Sequence, residues 1–356
     1  MKIERLEYWD KNIDWGFPPI TFDKFNLLVG VSGVGKTKII ESIYNLRQIT
    51  LGESLKGIKW DVTFARDDET KYRWQGEFET ERHQSIESQE EDDGYKIIHE
   101  VLEIDGKVIA ERNQDEIRLK GDITPKLSPY QSLVDIFRNE KEIAAIQQEW
   151  QKIILSVYIS FMTNLNLFPN HPNHVVTERI RQSNSSMLNK LAFLSNHPEE
   201  FKVIKQWFSN IFVQVEDIKI ELPDVYIKEK GVEAWIPYKN LSSGMRKTLN
   251  FICELYLSPP GSVMIIDEFE NSLGVNCIDI IAEDFLGEER DFQFIITSHH
   301  LYIINNIPQA YWKIVTRKGG VVTVKDAQDL DLGKSKHKAF MQLINNQDFK
   351  EGIIVE

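Results

Sequence analysis

The sequence predicts an α/β fold with a mixed or parallel core sheet, an antiparallel β layer and a short helical insert. Three observations predict it. Gly30-Val-Ser-Gly-Val-Gly35-Lys36-Thr37 fits G-x-x-x-x-G-K-[ST] at every fixed position. Two short apolar runs far downstream, Ser262-Val-Met-Ile-Ile266 and Phe292-Gln-Phe-Ile-Ile296, end in polar residues as buried parallel strands do. Residues from about 58 to 120 alternate apolar and polar side chains, the mark of strands with one solvated face.

Residues 1–29 read as strands leading to the glycine-rich motif, with Phe25-Asn-Leu-Leu-Val29 as the buried one. Lys38 to Leu46 has the apolar spacing of a helix. Strand, glycine loop and helix together form a phosphate cradle. The glycines let backbone N–H groups of Gly30, Ser32, Gly33, Val34, Gly35 and Lys38 face an anion, and the helix N-terminus adds its positive end. Lys36 reaches the β- and γ-phosphates of a nucleotide, and the Thr37 hydroxyl is placed for Mg²⁺.

The alternating stretch includes Trp60-Asp-Val-Thr-Phe64, Tyr72-Arg-Trp74 and Tyr95 to Leu102, with turns at Asp67-Asp68, Asp93-Gly94 and Asp105-Gly106. The acidic cluster Glu87, Glu90, Glu91, Asp92 and Asp93 reads as a solvated loop. Residues 131–210 read as helical, most clearly Glu142 to Ile154, with interruptions at Pro169, Pro172 and Pro198. Seven aromatics of this stretch, Trp150, Tyr158, Phe161, Phe168, Phe193, Trp207 and Phe208, read mainly as helix-packing core. Strand-like residues 211–238 return the chain to the main body.

Asp267 and Glu268 stand where open α/β sheets bind ligands, at the C-terminal edge of a parallel strand. Beside a phosphate loop, Asp267 suits Mg²⁺ and Glu268 suits polarisation of an attacking water. His299 ends the next strand and is placed to touch a γ-phosphate; His300 competes for that role.

The formal net charge of −13 argues against broad coating of nucleic acid, which needs a surplus of cations. No apolar run reaches the roughly 18 residues of a membrane helix. The start, MKIERLEYWD, has no secretory h-region, so a cytoplasmic protein is expected. Cys253 and Cys277 sit in apolar stretches and read as buried thiols of a reducing compartment. No internal repeat is present.

Leu241-Ser-Ser-Gly-Met-Arg-Lys247 resembles the ABC signature LSGGQ-[RK]. Phosphate loop, signature, Asp-Glu and Ser-His, in that order over residues 1–316, resemble the P-loop ABC-ATPase superfamily. The likeness is to its soluble branch of OLD-family and SMC-like heads, including ATPases of prokaryotic anti-phage operons. The resemblance implies an ABC-type head that binds and slowly hydrolyses ATP with Mg²⁺. Two ATP molecules are sandwiched between two heads, and Ser242, Ser243 and Gly244 of one head cap the γ-phosphate held by the other. A Ser-Ser-Gly turn opening an apolar helix suits that role, since its N–H groups and dipole face an anion. The family also places a Gln at the loop entering a helical subdomain. Gln131 is the candidate as nucleotide and Mg²⁺ contact, with Gln147, Gln148 and Gln151 nearby.

The sequence departs from the family at Ser243, Met245 and Gly274, and Phe269-Glu-Asn-Ser-Leu-Gly274 lacks the Pro of many relatives. Those departures put coupled turnover in question more than binding. The implied head divides into an N-terminal lobe at 1–130, a helical insert at 131–210 and a C-terminal lobe at 211–356. An insert of about 80 broken residues makes no long coiled coil, and the tail after Lys325 has no room for a nuclease domain. The expected protein is therefore a homodimeric or higher-order ATPase acting as sensor or scaffold for a separately encoded nuclease or toxin. A DNA-repair or chromosome-maintenance head and a transporter ATPase are the alternatives.

Overall fold

The computed structural model describes residues 1–81, 94–114, 116–155, 187–222, 224–270 and 291–330. The acidic cluster, Tyr158, Phe161, Phe168, Pro169, Pro172, Gly274, Cys277 and the tail after Leu330 lie outside them. The chain separates into two compact units. The first comprises Met1–Ile154, Gly261–Asp267 and Phe292–Glu356; the second comprises Leu155–Pro260 and Glu268–Asp291.

The first unit holds a sheet of fourteen strands among the described residues. Its parallel part carries the ligand-facing edge. Strand β3 (Phe25–Val29), with all five residues buried, lies between β15 (Gln293–Ser298) and β16 (Trp312–Lys318). Strand β14 (Val263–Ile266) pairs with the far side of β15. All these pairings are parallel, and β3, β14 and β15 are buried throughout, which is why they read as mainly apolar runs, broken only by hydrogen-bonded polar residues such as Asn26 and Gln293. Helix α1 (Lys36–Ile49) follows β3 and buries Ile39, Ile43, Leu46 and Ile49, one stripe of a 3.6-residue period.

Two buried amides fix the register of this core. Asn26 Nδ2 donates to the carbonyls of Asp23 and Phe294 at 2.7 and 3.0 Å, and Asn26 Oδ1 accepts from Asp23 N at 2.8 Å. Gln293 exchanges two 2.8 Å hydrogen bonds with the Ile3 backbone. Both amides are satisfied in a dry interior, where an orphaned group costs about 1–3 kcal/mol.

The antiparallel part begins at β17 (Val321–Asp326), a hairpin partner of β16. A single parallel pair, Val321 with Gly16, joins it to β2 (Trp15–Thr21). The sheet then continues through β1 (Lys2–Asp10), β4 (Ile58–Ala65), β5 (Lys71–Phe78), β6 (Ile97–Ile104), β7 (Lys107–Asn113), β8 (Glu116–Leu119) and β9 (Asp122–Ile123). This is the antiparallel layer that the alternation over 58–120 predicts. The Asp105-Gly106 turn is there, with both φ angles positive at 48° and 75°.

The helical reading of 131–210 holds only in part. Helix α2 (Leu133–Ile136) and helix α3 (Lys141–Gln151) belong to the first unit, not to an insert. Trp150 of α3 sets its ring edge-on to Phe64 and Trp74 of the antiparallel layer, each at 5.6 Å. That packing ties α3 to the sheet. The chain then leaves the helix at Lys152 and forms β10 (Ile153–Leu155), an edge strand beside β14, where the sequence predicts continued helix.

The second unit contains α4 (Met187–Ser195), α5 (Pro198–Ile211) and α6 (Ser243–Leu257) with a separate antiparallel sheet of β11 (Val215–Glu221), β12 (Asp224–Glu229) and β13 (Ile236–Pro237). Residues 211–238 thus build their own small sheet instead of rejoining the large one. Its core is apolar: Leu191, Phe201, Ile204, Phe208, Leu249 and Ile252 are all buried. Helix α5 starts with Pro198 at its first turn and Glu199 and Glu200 beside it, a sound start on backbone and dipole grounds. Helix α6 ends at Ser258 because Pro259 and Pro260 cannot continue it.

Candidate phosphate and metal site

The C-terminal edges of β3, β14 and β15 bring together the phosphate loop, Asp267 and the Ser298-His299 turn, all within the first unit. The loop shape is set by backbone chemistry. Gly35 has φ 105°, a left-handed conformation open to glycine, and it serves as N-cap of α1. A Cβ on Gly30 would stand 2.6 Å from the Val315 carbonyl, so only glycine fits there. Ser32 and Gly33 are exposed at the loop tip and Val34 is buried beneath it.

Lys36 is the first residue of α1 and only 9% exposed. Its Nζ donates to the carbonyls of Gly30 at 2.8 Å and Val31 at 3.0 Å. The cation is therefore held across the mouth of the loop, next to the N–H groups of the helix start. Lys38 turns outward and pairs with Glu41 at 2.7 Å.

Thr37 Oγ1 donates to Asp267 Oδ2 at 2.9 Å, joining residues 230 positions apart. Asp267 Oδ1 accepts a second hydroxyl, that of Thr297 on β15. The sequence did not single out Thr297; the signal was a hydroxyl that directly follows the apolar run Phe294-Ile-Ile296. The Thr37 hydroxyl and the Asp267 carboxylate form an oxygen-only donor set, with Thr297 bonded behind the carboxylate. That set fits Mg²⁺, which takes one or two protein oxygens and completes its shell with water and substrate phosphate. Among the described residues no cluster of three or more His, Cys, Asp or Glu side chains could hold a metal unaided.

The two histidines separate. His300 caps the short helix α7 (Leu301–Asn306), its Nδ1 accepting from Tyr302 N at 3.2 Å, and its own N–H donates to Ser298 Oγ at 3.1 Å. His299 is exposed directly at the end of β15. Gln131 lies at the approach to α2: its Nε2 donates to Asp135 Oδ2 at 3.0 Å and its carbonyl accepts from Arg112 Nη2 at 2.8 Å. Buried Glu100 secures the same turn, accepting from Ser132 Oγ and from Leu133 N at 2.9 Å. In the described geometry the Gln131 side chain thus serves Asp135.

Glu268 and the signature segment belong to the second unit. Glu268 is exposed and has φ 46°, a left-handed backbone that costs a non-glycine residue of order 1–3 kcal/mol and that concentrates at functional positions. Ser242 is the N-cap of α6, its hydroxyl accepting from Met245 N at 3.2 Å, with Ser243 exposed and Gly244 half-buried in the first turn. Arg246 and Lys247 follow. Burial lowers the Lys247 ammonium below its ordinary range, against the opposing pull of Glu268 and Glu270.

Fold and loop together define an AAA-type domain with a phosphate-binding loop, and its fold is similar to that of SMC heads. The solved structure of an SMC head bound to the C-winged helix domain of ScpA is similar at TM-score 0.52 and 15% identity, covering 91% of this chain and 97% of that one. An SMC head with an extended coiled coil from Pyrococcus furiosus, bound to the C-terminal domain of ScpA, gives TM-score 0.51 and 14% identity over 97% of this chain and 100% of that one. The chain belongs to the family described as "AAA domain, putative AbiEii toxin, Type IV TA system", whose profile matches residues 25–305. No curated protein matches it. No described helix is long and apolar enough to cross a membrane.

Proposed function

We propose that this chain binds Mg-ATP at the phosphate loop, hydrolyses it between two copies, and uses that cycle to control a separately encoded effector protein in a toxin–antitoxin or phage-defence setting. The observation that carries the nucleotide reading is the 2.9 Å contact of Thr37 with Asp267 beside the buried Lys36. Lys36 neutralises the β- and γ-phosphates, and the N–H groups of residues 30–38 bind their oxygens. Mg²⁺, when bound, would supply positive charge that stabilises the phosphate in the transition state. Thr37 and Asp267 would hold it, with Gln131 as a further candidate. Glu268 accepts the proton of the attacking water, and His299 donates to the γ-phosphate oxygens. Ser242, Ser243 and Gly244 of a second copy close the site with the N-terminus of α6.

The effector reading is supported by the family description, which names a toxin–antitoxin system. It is also supported by the head structures of similar fold, which were solved with a partner protein. The net charge of −13 favours a protein effector over nucleic acid. Native mass spectrometry of Glu268→Gln protein, co-expressed with its neighbouring genes with and without Mg-ATP, tests it. An ATP-dependent assembly containing a neighbour-encoded nuclease or toxin is expected. A bare ATP-dependent dimer that binds DNA in a salt-sensitive manner would replace the effector reading with chromosome maintenance.

A further inference from the structure

We propose that Thr297 is a positioning residue for Asp267, fixing the carboxylate orientation in which Asp267 meets the Mg²⁺ of the nucleotide. The inference rests on the Mg-nucleotide reading above. Thr297 is 1% exposed and lies on β15, the direct neighbour of β14. Its hydroxyl donates to Asp267 Oδ1 while Thr37 donates to Oδ2. The carboxylate is therefore gripped on both oxygens by hydroxyls from two different elements.

The terminal torsion of an aspartate is broad, so packing of the Cβ alone leaves the carboxylate plane loosely set. Thr37 cannot set it independently, because the same hydroxyl oxygen must also offer a lone pair to the metal. Thr297 has no such second duty at the metal. It approaches from a strand held by the Gln293 and Asn26 amides, and it donates whether or not Thr37 shifts toward an ion. Outer hydrogen bonds of this kind typically govern a factor of about 10–100 in metal affinity.

The test follows binding of a fluorescent methylanthraniloyl ATP to wild type, Thr297→Val, Thr297→Ala and Thr297→Ser, in EDTA and across a Mg²⁺ titration. Valine is close in shape and suits a buried strand, and alanine removes the hydroxyl without adding a methyl. Both are expected to raise the half-saturating Mg²⁺ concentration about 10-fold or more while leaving affinity in EDTA unchanged. Serine keeps the hydroxyl and restores the wild-type Mg²⁺ dependence. Unchanged Mg²⁺ dependence in valine and alanine would overturn the positioning role and leave the nucleotide site standing. Loss of binding in EDTA as well, without rescue by serine, would make Thr297 merely structural and overturn it too. A wild type that binds no nucleotide in either condition would remove the nucleotide reading itself.

Discussion

Lys36 illustrates how one side chain decides the chemistry of the loop. It is a buried cation whose donors rest on two loop carbonyls, 2.8 and 3.0 Å away. Those are neutral acceptors, and a phosphate is a stronger one, so the ammonium gains by exchanging them. Lys36→Ala should weaken ATP binding roughly 100-fold or more, since hydrogen bonds to charged groups contribute about 1.5–3 kcal/mol each. Isothermal titration calorimetry measures this, and near-wild-type affinity would refute the loop assignment. Glu268 makes the complementary case. Its amide counterpart keeps size and lone pairs but is no base, so Glu268→Gln should bind ATP normally while hydrolysis falls roughly 100-fold or more. A phosphate-release assay giving the wild-type rate would show that another group activates the water. Both residues stood out in the sequence as candidates because the signal is local: a motif for Lys36, a strand terminus for Glu268. Thr297 was not, because its meaning comes from a carboxylate 30 positions away.

At the scale of elements, strands were easier to read than boundaries. Strands β3, β14 and β15 are buried on both faces and announce themselves as mainly apolar runs. The end of the helical insert left no such mark, because α3 packs on the first unit through Trp150, and nothing local says where that ring will pack. The single Val321–Gly16 pair that fuses the parallel and antiparallel parts is equally invisible in sequence. The packing of α4 on α6 supplies a test of the second unit. Lys190 is 7% exposed, donates to the Leu257 carbonyl at the end of α6, and has its pKa lowered to about 8 by burial. A lysine depressed in the fold binds fewer protons there than in the unfolded chain. Stability therefore rises with pH between about 8 and 10.5 and is lost as pH falls through 8. Lys190→Met should stabilise the protein at pH 7 by up to about 3 kcal/mol, with the gain vanishing above pH 10.5. Urea denaturation of both proteins at pH 7 and pH 10.5 measures it. A gain that persists unchanged at the higher pH would assign the effect to packing instead of charge.

At the scale of the whole molecule the question is which copy's signature serves which loop. The phosphate loop and Asp267 lie in one compact unit, and Ser242, Ser243 and Gly244 lie in the other. The proposed sandwich pairs them between chains, so each active site in a two-fold dimer draws one half from each copy. Mixing two inactive variants distinguishes this arrangement from a site complete in one chain. Lys36→Ala removes the loop cation and spares the signature. Ser243→Arg puts a cation at the exposed, positively polarised start of α6, where it opposes the dipole, and spares the loop. Each protein alone should hydrolyse no ATP. In an equimolar mixture half the dimers are mixed, and each mixed dimer contains one site with both halves intact. Activity should therefore return to at most about a quarter of the wild-type rate under two-fold symmetry. It should also rise with total protein concentration, as an association-dependent activity must. If the mixture stays inactive while wild-type protein hydrolyses ATP under the same conditions, the signature acts on its own chain, and the inter-chain site is wrong.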